Sequence, residues 1–194
     1  GEYASEADAA VRTAESRSVL AALGVPAEQI YFLGYPDTGM PYEESFLRRL
    51  YDGCRVSASR WGRTETWRPD GQDFHFMRSG CHSTYTAASV LRDLSDVLAL
   101  VNPDTVYVTA PGDCHGDHDA LGRFTTQAVA AMENPPALYY YLIHADRTDI
   151  WPERDAERFR LPPMAADHPL LRCAAERRPL PDGFPPAEKY SLIQ

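Results

Sequence analysis

The segment His115-Gly116-Asp117-His118 places two imidazoles and one carboxylate within four residues. It follows a compact apolar run and precedes a helical pattern, and ligands of open α/β sheets bind at such places, beyond the carboxyl ends of the strands. In a cleft there, one histidine can ligate a metal while the other donates a proton or stabilises an oxyanion. The alternative is that both histidines cap a helix or lie on a solvated loop. The strand-end position and the flanking acids favour a site.

The other histidines are scattered along the chain, although a catalytic metal site needs about three protein ligands and an open position for water. His144 ends a second apolar run, so it either lines the same cleft or is a buried histidine with satisfied hydrogen bonds. His82 and His168 are expected to be surface or structural residues. Cys114 adjoins His115, but neighbouring residues of an extended loop usually point apart, so we leave it out of the site.

The elements that position these residues follow from the spacing of the apolar side chains. An apolar stripe at helical spacing predicts a core-facing helix, and it consists of Val90, Leu91, Leu94, Val97, Leu98 and Val101. Residues 105–110 form a β-rich run typical of a central parallel strand. The same reasoning along the chain predicts helices at residues 5–23, 86–101 and 119–132, and strands at residues 29–34, 105–110 and 137–143.

This alternation predicts an α/β fold with a mostly parallel sheet flanked by helices, in a single domain over residues 1–194. Residues 41–81 are less regular and are interpreted as a decorated insertion. Residues 151–194 are rich in proline and arginine and are expected to form an irregular tail, because proline discourages long regular elements. We find no internal repeat and no linker that divides the chain.

The composition excludes several classes of function. The chain has 19 Lys and Arg against 28 Asp and Glu, a formal net charge of −9, so nucleic acid is a poor candidate partner. This acidity is consistent with a neutral substrate and argues against tight recognition of polyanions. The longest apolar runs are far shorter than the ~20 residues that span a bilayer, so no transmembrane helix is expected.

The four cysteines lie far apart without a Cys-x-x-Cys pair, which gives no support to a zinc knuckle or a thioredoxin-like site and leaves one or two disulfides open. The first residues carry neither an initiator methionine nor a signal-peptide pattern, so the chain is expected to begin at an internal position. The compartment and the oligomeric state cannot be read from these patterns.

Four segments together resemble the PIG-L/LmbE-like family of zinc-dependent N-deacetylases. They are RTAE at residues 12–15, LGV at 23–25, IYFLGYPDTGM at 30–40 and PGDCHGDH at 111–118, in matching order over the first two thirds of the chain. The resemblance implies a Rossmann-like α/β fold and hydrolysis of an N-acetyl group, typically from an N-acetylglucosamine moiety. It also implies one Zn²⁺ per site, with other divalent metals as alternatives, and an acetylated sugar or glycoconjugate as substrate.

The resemblance makes His118 the zinc ligand. It makes His115 the residue that stabilises the tetrahedral oxyanion and protonates the leaving amine, with acidic neighbours such as Asp117 expected to keep it protonated. Arg12 and Asp37 match positions that hold substrate hydroxyls, a role that suits their hydrogen-bonding groups. The alternatives are an exposed pair of Arg12 with Glu15 and a purely conformational role for Asp37 in its turn.

Two further aspartates flank the histidines. Asp117 is expected to orient an imidazole or to cap the following helix rather than to bind metal. Asp113 stands where a family member has a mobile tyrosine or another polar group, and we place it with His144 among the candidate substrate-binding residues. Gly116 stands where the family often has proline.

The chain departs from the family at its start, because a His-Pro-Asp-Asp-Glu segment is absent. In the family that segment supplies two zinc ligands and the general base, so the sheet is expected to lack its first β-α-β unit. If the 194 residues are the whole molecule, we expect weak or no zinc binding and no turnover. The alternatives are an inactive sugar-binding or regulatory homologue and another metallohydrolase, although the basic pocket that a phosphoesterase needs is not evident.

Substrate choice is expected to depend on the insertion and the tail. Four aromatic side chains of the insertion are candidates for stacking on a sugar ring, although packing of the insertion onto the core is the more common role of such residues. They are Trp61, Trp67, Phe74 and Phe76.

Overall fold

The computed structural model describes residues 6–38, 44–55 and 58–144. Its helices are α1 (Glu6–Ala22), α2 (Phe46–Tyr51), α3 (Phe74–Ser79), α4 (Ala87–Val101) and α5 (Gly116–Ala130), and a 3-10 turn spans Ala27–Gln29. The strands are β1 (Thr105–Thr109) and β2 (Ala137–Tyr141). The expected α/β class is confirmed, as a small parallel sheet flanked by helices. The proline-rich tail at 151–194 lies outside the described residues.

Helix α4 confirms the helix expected at residues 86–101. Thr86 caps its start by accepting a hydrogen bond from the Ser89 N–H, and Asn102 ends it in the left-handed region at φ 46°. The buried members of its apolar stripe face the core, but Val101 in the last turn is 52% exposed. Helical spacing identifies which face is apolar, whereas the extent of burial depends on how far the partner helix reaches.

The unit β1-α5-β2 forms the centre of the described fold. Strands β1 and β2 pair in parallel with Thr105 opposite Ala137 and Thr109 opposite Tyr141. Helix α5 starts at Gly116, three residues before the expected start, so His118 lies in its first turn rather than in the preceding loop. Because the strands are parallel, the loop after β1 and the residues after β2 lie at the same edge of the sheet.

The prediction of a strand at residues 29–34 is wrong, because Gln29 ends the 3-10 turn and residues 30–34 form no ladder in the described part of the chain. The insertion hydrogen-bonds it at single points, from Trp67 N–H to the Gly34 carbonyl and from Phe74 N–H to the Phe32 carbonyl. Gly34 has φ 78°, and a Cβ there would lie 3.0 Å from Trp67 O. A run of bulky residues thus becomes a cavity wall instead of a strand.

The insertion at 41–81 contributes to the core. Phe46 and Leu50 of α2 are buried against Phe124 and Ala120 of α5 and against Tyr85, which precedes α4. A smaller cluster joins Leu98 to Ala128 and Val129. None of the described helices is long and apolar enough to cross a membrane. No disulfide joins the described cysteines, and Cys173 lies outside them.

Candidate active site

Three imidazole rings meet at the carboxyl ends of the two parallel strands. His115 and His118 stack with ring centroids 4.2 Å apart, and His144 lies 5.3 Å from His118 and 5.6 Å from His115. His115 and His118 come from the start of α5, while His144 follows β2. His144 therefore lies in one cluster with the other two histidines.

Asp113 lies behind this cluster and joins the two chain segments that form it. Its Oδ2 accepts hydrogen bonds from the N–H groups of Ile143 and His144 at 3.0 and 3.1 Å, and its Oδ1 accepts one from the His115 N–H at 2.9 Å. His118 Nδ1 lies 3.5 Å from Oδ2, an electrostatic contact rather than a well-formed hydrogen bond. Burial acts to raise the pKa of Asp113, but contact with His118 and these N–H groups outweighs burial and lowers it.

His115 is buried and has an electrostatic environment that differs from expectation. Burial and then the neighbouring His118 lower its pKa below the usual value, although Asp37 acts in the opposite direction with Oδ1 3.5 Å from Nε2. The expectation that acidic neighbours keep His115 protonated is therefore wrong. At neutral pH the ring is neutral, so one of its nitrogens can donate a hydrogen bond and the other can accept one.

Asp117 connects α5 to the loop that carries Asp37. Its Oδ2 accepts the Thr38 N–H at 2.9 Å, and its Oδ1 accepts the Leu47 N–H at the start of α2 at 2.7 Å. Burial raises the pKa of Asp117 to about 6, even though these hydrogen bonds oppose the shift. Asp117 was expected to cap α5, but its side chain caps the start of α2 instead. Its contact with Thr38 holds the segment that carries Asp37 near the histidines.

A cavity of about 400 Å³ opens beside Asp37, a volume within the range typical of small-molecule sites. Asp37 and Arg12 both line it. Arg12 also forms the alternative ion pair with Glu15, at 3.0 Å on an exposed face of α1. Asp37 therefore lies between this cavity and His115.

The four aromatic candidates of the insertion divide into two groups. Trp61 and Trp67 line the cavity and contact each other edge to face with centroids 5.7 Å apart. Phe74 is buried, and Phe76 stacks on His82, whose Nδ1 hydrogen-bonds Asp73. The tryptophans thus line the cavity, whereas the phenylalanines pack the insertion.

Carboxylate and imidazole donors converge at two places in the described part of the chain. Donor atoms of Asp37, His115 and Asp117 lie within 4.8 Å of one another, and so do those of His75, Asp93 and Asp96. Asp93 Oδ2 already accepts short hydrogen bonds from Tyr35 and Ser83, at 2.7 and 2.6 Å, so the second group is a structural network.

Sequence analysis missed Asp119, which is fully buried in the first turn of α5. Its Oδ2 pairs with Arg48 of α2 at 2.6 Å and with Arg123 at 2.9 Å, and its Oδ1 accepts the Gly112 N–H at 2.6 Å. The spacing of Asp119 and Arg123 by four residues is a visible helical signal. The pairing with Arg48, 71 residues away, has no signal in the sequence.

Replacing Asp113 by asparagine is expected to lower the free energy of unfolding by about 1–3 kcal/mol. Both carboxylate oxygens accept hydrogen bonds from backbone N–H groups, and the amide nitrogen that would replace one of them cannot accept a hydrogen bond. Chemical denaturation measures the loss. Asp104→Asn is the matched control, since Asp104 is exposed just before β1. Equal stabilities of the two variants would contradict the role of Asp113 in joining the segments.

The family model described as PIG-L, GlcNAc-PI de-N-acetylase, matches residues 1–129. This range covers the described helices from α1 to α4, strand β1 and all but the last residue of α5, with His115 and His118 among them. No curated protein and no solved structure matches the chain at a significant level. Since the model covers most of the chain and both histidines of the segment at 115–118, the protein belongs to the PIG-L family.

Proposed function

We propose that the protein hydrolyses the N-acetyl group of an N-acetylglucosamine-type sugar or glycoconjugate with the help of a zinc ion. The observation that carries this proposal is the meeting of His115, His118 and His144 beside Asp37 and its cavity, in a chain of the PIG-L family. Membership of this family supports a deacetylase-type activity on sugars of this kind.

Donor atoms of Asp37, His115 and Asp117 lie within 4.8 Å of one another, and imidazole nitrogens and carboxylate oxygens are ligands that zinc binds. The Nδ1 atom of His115 is buried without a hydrogen-bond partner among the described residues, an arrangement that costs free energy unless a ligand or water satisfies it. When bound, zinc would lower the pKa of a water molecule and polarise the acetyl carbonyl. Following the family resemblance, we assign His118 as the ligand.

The other side chains have supporting roles in this proposal. His115, neutral because burial and His118 lower its pKa, donates an N–H to the oxyanion that forms on the acetyl carbonyl. Asp117 holds Thr38 and α2, and through them positions Asp37 next to the cavity. Arg12 and Asp37 are assigned to the sugar hydroxyls, which suits a forked donor and a carboxylate acceptor.

The direct test is acetate release from an N-acetylglucosaminyl substrate by protein loaded with zinc. In a protein that carries the family's His-Pro-Asp-Asp-Glu segment together with these residues, we expect about one zinc per chain, measured by elemental analysis, and acetate release that stops on chelation and returns when zinc is added back. Sugar binding without acetate release would favour the non-catalytic sugar-binding alternative. Absence of both zinc and acetate release would contradict the proposal.

A further inference from the structure

The cavity beside Asp37 is basic although the protein as a whole is acidic, so the structure contains a basic pocket that was not evident from the sequence. Four arginines line it, Arg12, Arg60, Arg63 and Arg68, and Asp37 is the one acid among its described lining residues. The chain itself carries a formal net charge of −9. A local reversal of charge in a concave site concentrates anions there rather than over the whole surface.

Arg68 is the most unusual of these arginines because its side chain is only 4% exposed. Its Nε donates to Asp70 Oδ1 at 3.2 Å, and its guanidinium carbon lies 3.7 Å from the centroid of the Phe32 ring. Its Nη2 is buried and has no hydrogen-bond partner among the described residues. A buried cationic donor without an acceptor is costly, and such groups commonly indicate an absent ligand or water.

We propose that this cavity binds an anionic substituent, a carboxylate or a phosphate, that the acylated sugar carries, and that Arg68 recognises it. Arg68 belongs to the cavity wall and its guanidinium is fixed by Asp70 and Phe32, so its unpartnered Nη2 is the donor that we assign to such an anion. Trp61 and Trp67 line the same cavity and offer ring faces to the sugar. The identity of the sugar rests on the proposed function, whereas the anion preference requires no turnover.

The test is calorimetric titration of the protein, in the presence of EDTA, with three probes. They are neutral N-acetylglucosamine, N-acetylglucosamine 1-phosphate and N-acetylmuramic acid, which carries a carboxylate. At least one acidic probe should bind about tenfold more tightly than the neutral sugar, as expected for a charge-assisted hydrogen bond. The stronger of the two acidic probes identifies which anion the cavity prefers.

Arg68→Gln should bring the affinities for the acidic and neutral probes together, and Arg68→Lys should retain only part of the difference. The matched control is Arg78→Gln, because Arg78 also lies over an aromatic ring, that of Phe74 at 5.7 Å, but outside the cavity. Equal affinities of the wild type for all three probes would overturn the proposal even if Arg68→Gln fails to fold. A preference that survives in Arg68→Gln or Arg68→Lys at full strength would also overturn it.

These results are separable from the test of the proposed function. Loss of acetate release with an intact anion preference contradicts deacetylation alone. Acetate release without any anion preference contradicts only the role of Arg68.

Discussion

Replacing Gly122 by alanine should destabilise the protein by about 2 kcal/mol or more, because overpacking against backbone is costly. A Cβ at this position would lie 2.4 Å from Thr109 O and 2.9 Å from Pro111 N. Both are backbone atoms, one in the last residue of β1 and one two residues beyond it, so they cannot yield as a flexible side chain would. The clash outweighs the gain of about 1 kcal/mol that alanine ordinarily brings to a helix interior.

Urea denaturation measures this effect, and Gln127→Ala is the matched control. Gln127 lies in the same helix but is exposed, so its replacement should change the free energy of unfolding by only a few tenths of a kcal/mol. If Gly122→Ala is as stable as the wild type, α5 does not lie this close to β1. In that case the placement of His115 and His118 at the end of β1 would also be in doubt.

Replacing His118 by alanine should abolish zinc binding, whereas replacing His115 should leave zinc bound and reduce acetate release about a hundredfold or more. The reason for the difference lies in their surroundings. Asp113 faces Nδ1 of His118, which is the kind of carboxylate partner that orients a ligating imidazole. His115 faces Asp37, which lines the cavity where the substrate is expected.

Zinc content and initial rates should be measured on both variants, with His82→Ala as the control because His82 lies outside the cluster and bonds Asp73. Full zinc occupancy in His118→Ala would contradict the ligand assignment. The opposite pattern, with zinc lost in His115→Ala and kept in His118→Ala, would instead favour the donor group of Asp37, His115 and Asp117 as the metal site.

The elements with strong local patterns were predictable from the sequence. Helix α4 has an apolar stripe at helical spacing, and β1 and β2 are compact runs of β-branched or aromatic residues. All three elements were found within a few residues of the expected positions. The prediction of a strand at residues 29–34 was wrong because it considered this segment alone. A strand requires a neighbouring backbone, and here the insertion supplies single hydrogen bonds instead of a ladder.

The site was predictable to the extent that its residues are close in sequence. His115, Asp117 and His118 fall in one motif, and the resemblance added Arg12 and Asp37. Two other contacts of the site have no local pattern in the sequence. Asp117 and Thr38 are 79 residues apart, and Asp113 and His144 are 31 residues apart. Nothing in the sequence indicated a role for Arg68, because its side chain becomes buried beside the cavity only when the insertion packs against the segment around Phe32.

The hydrogen bonds of Asp113 have a consequence for the timing of biosynthesis. Its Oδ2 accepts N–H groups that follow β2, about thirty residues downstream, so the loop after β1 cannot reach its final form until those residues have left the ribosome. The histidine cluster is therefore a late product of vectorial folding, and a nascent chain that ends before Ile143 should not retain zinc. Arrested chains of increasing length, from ones that end before Ile143 to ones that extend far enough beyond His144 for it to have left the ribosome, would locate that step.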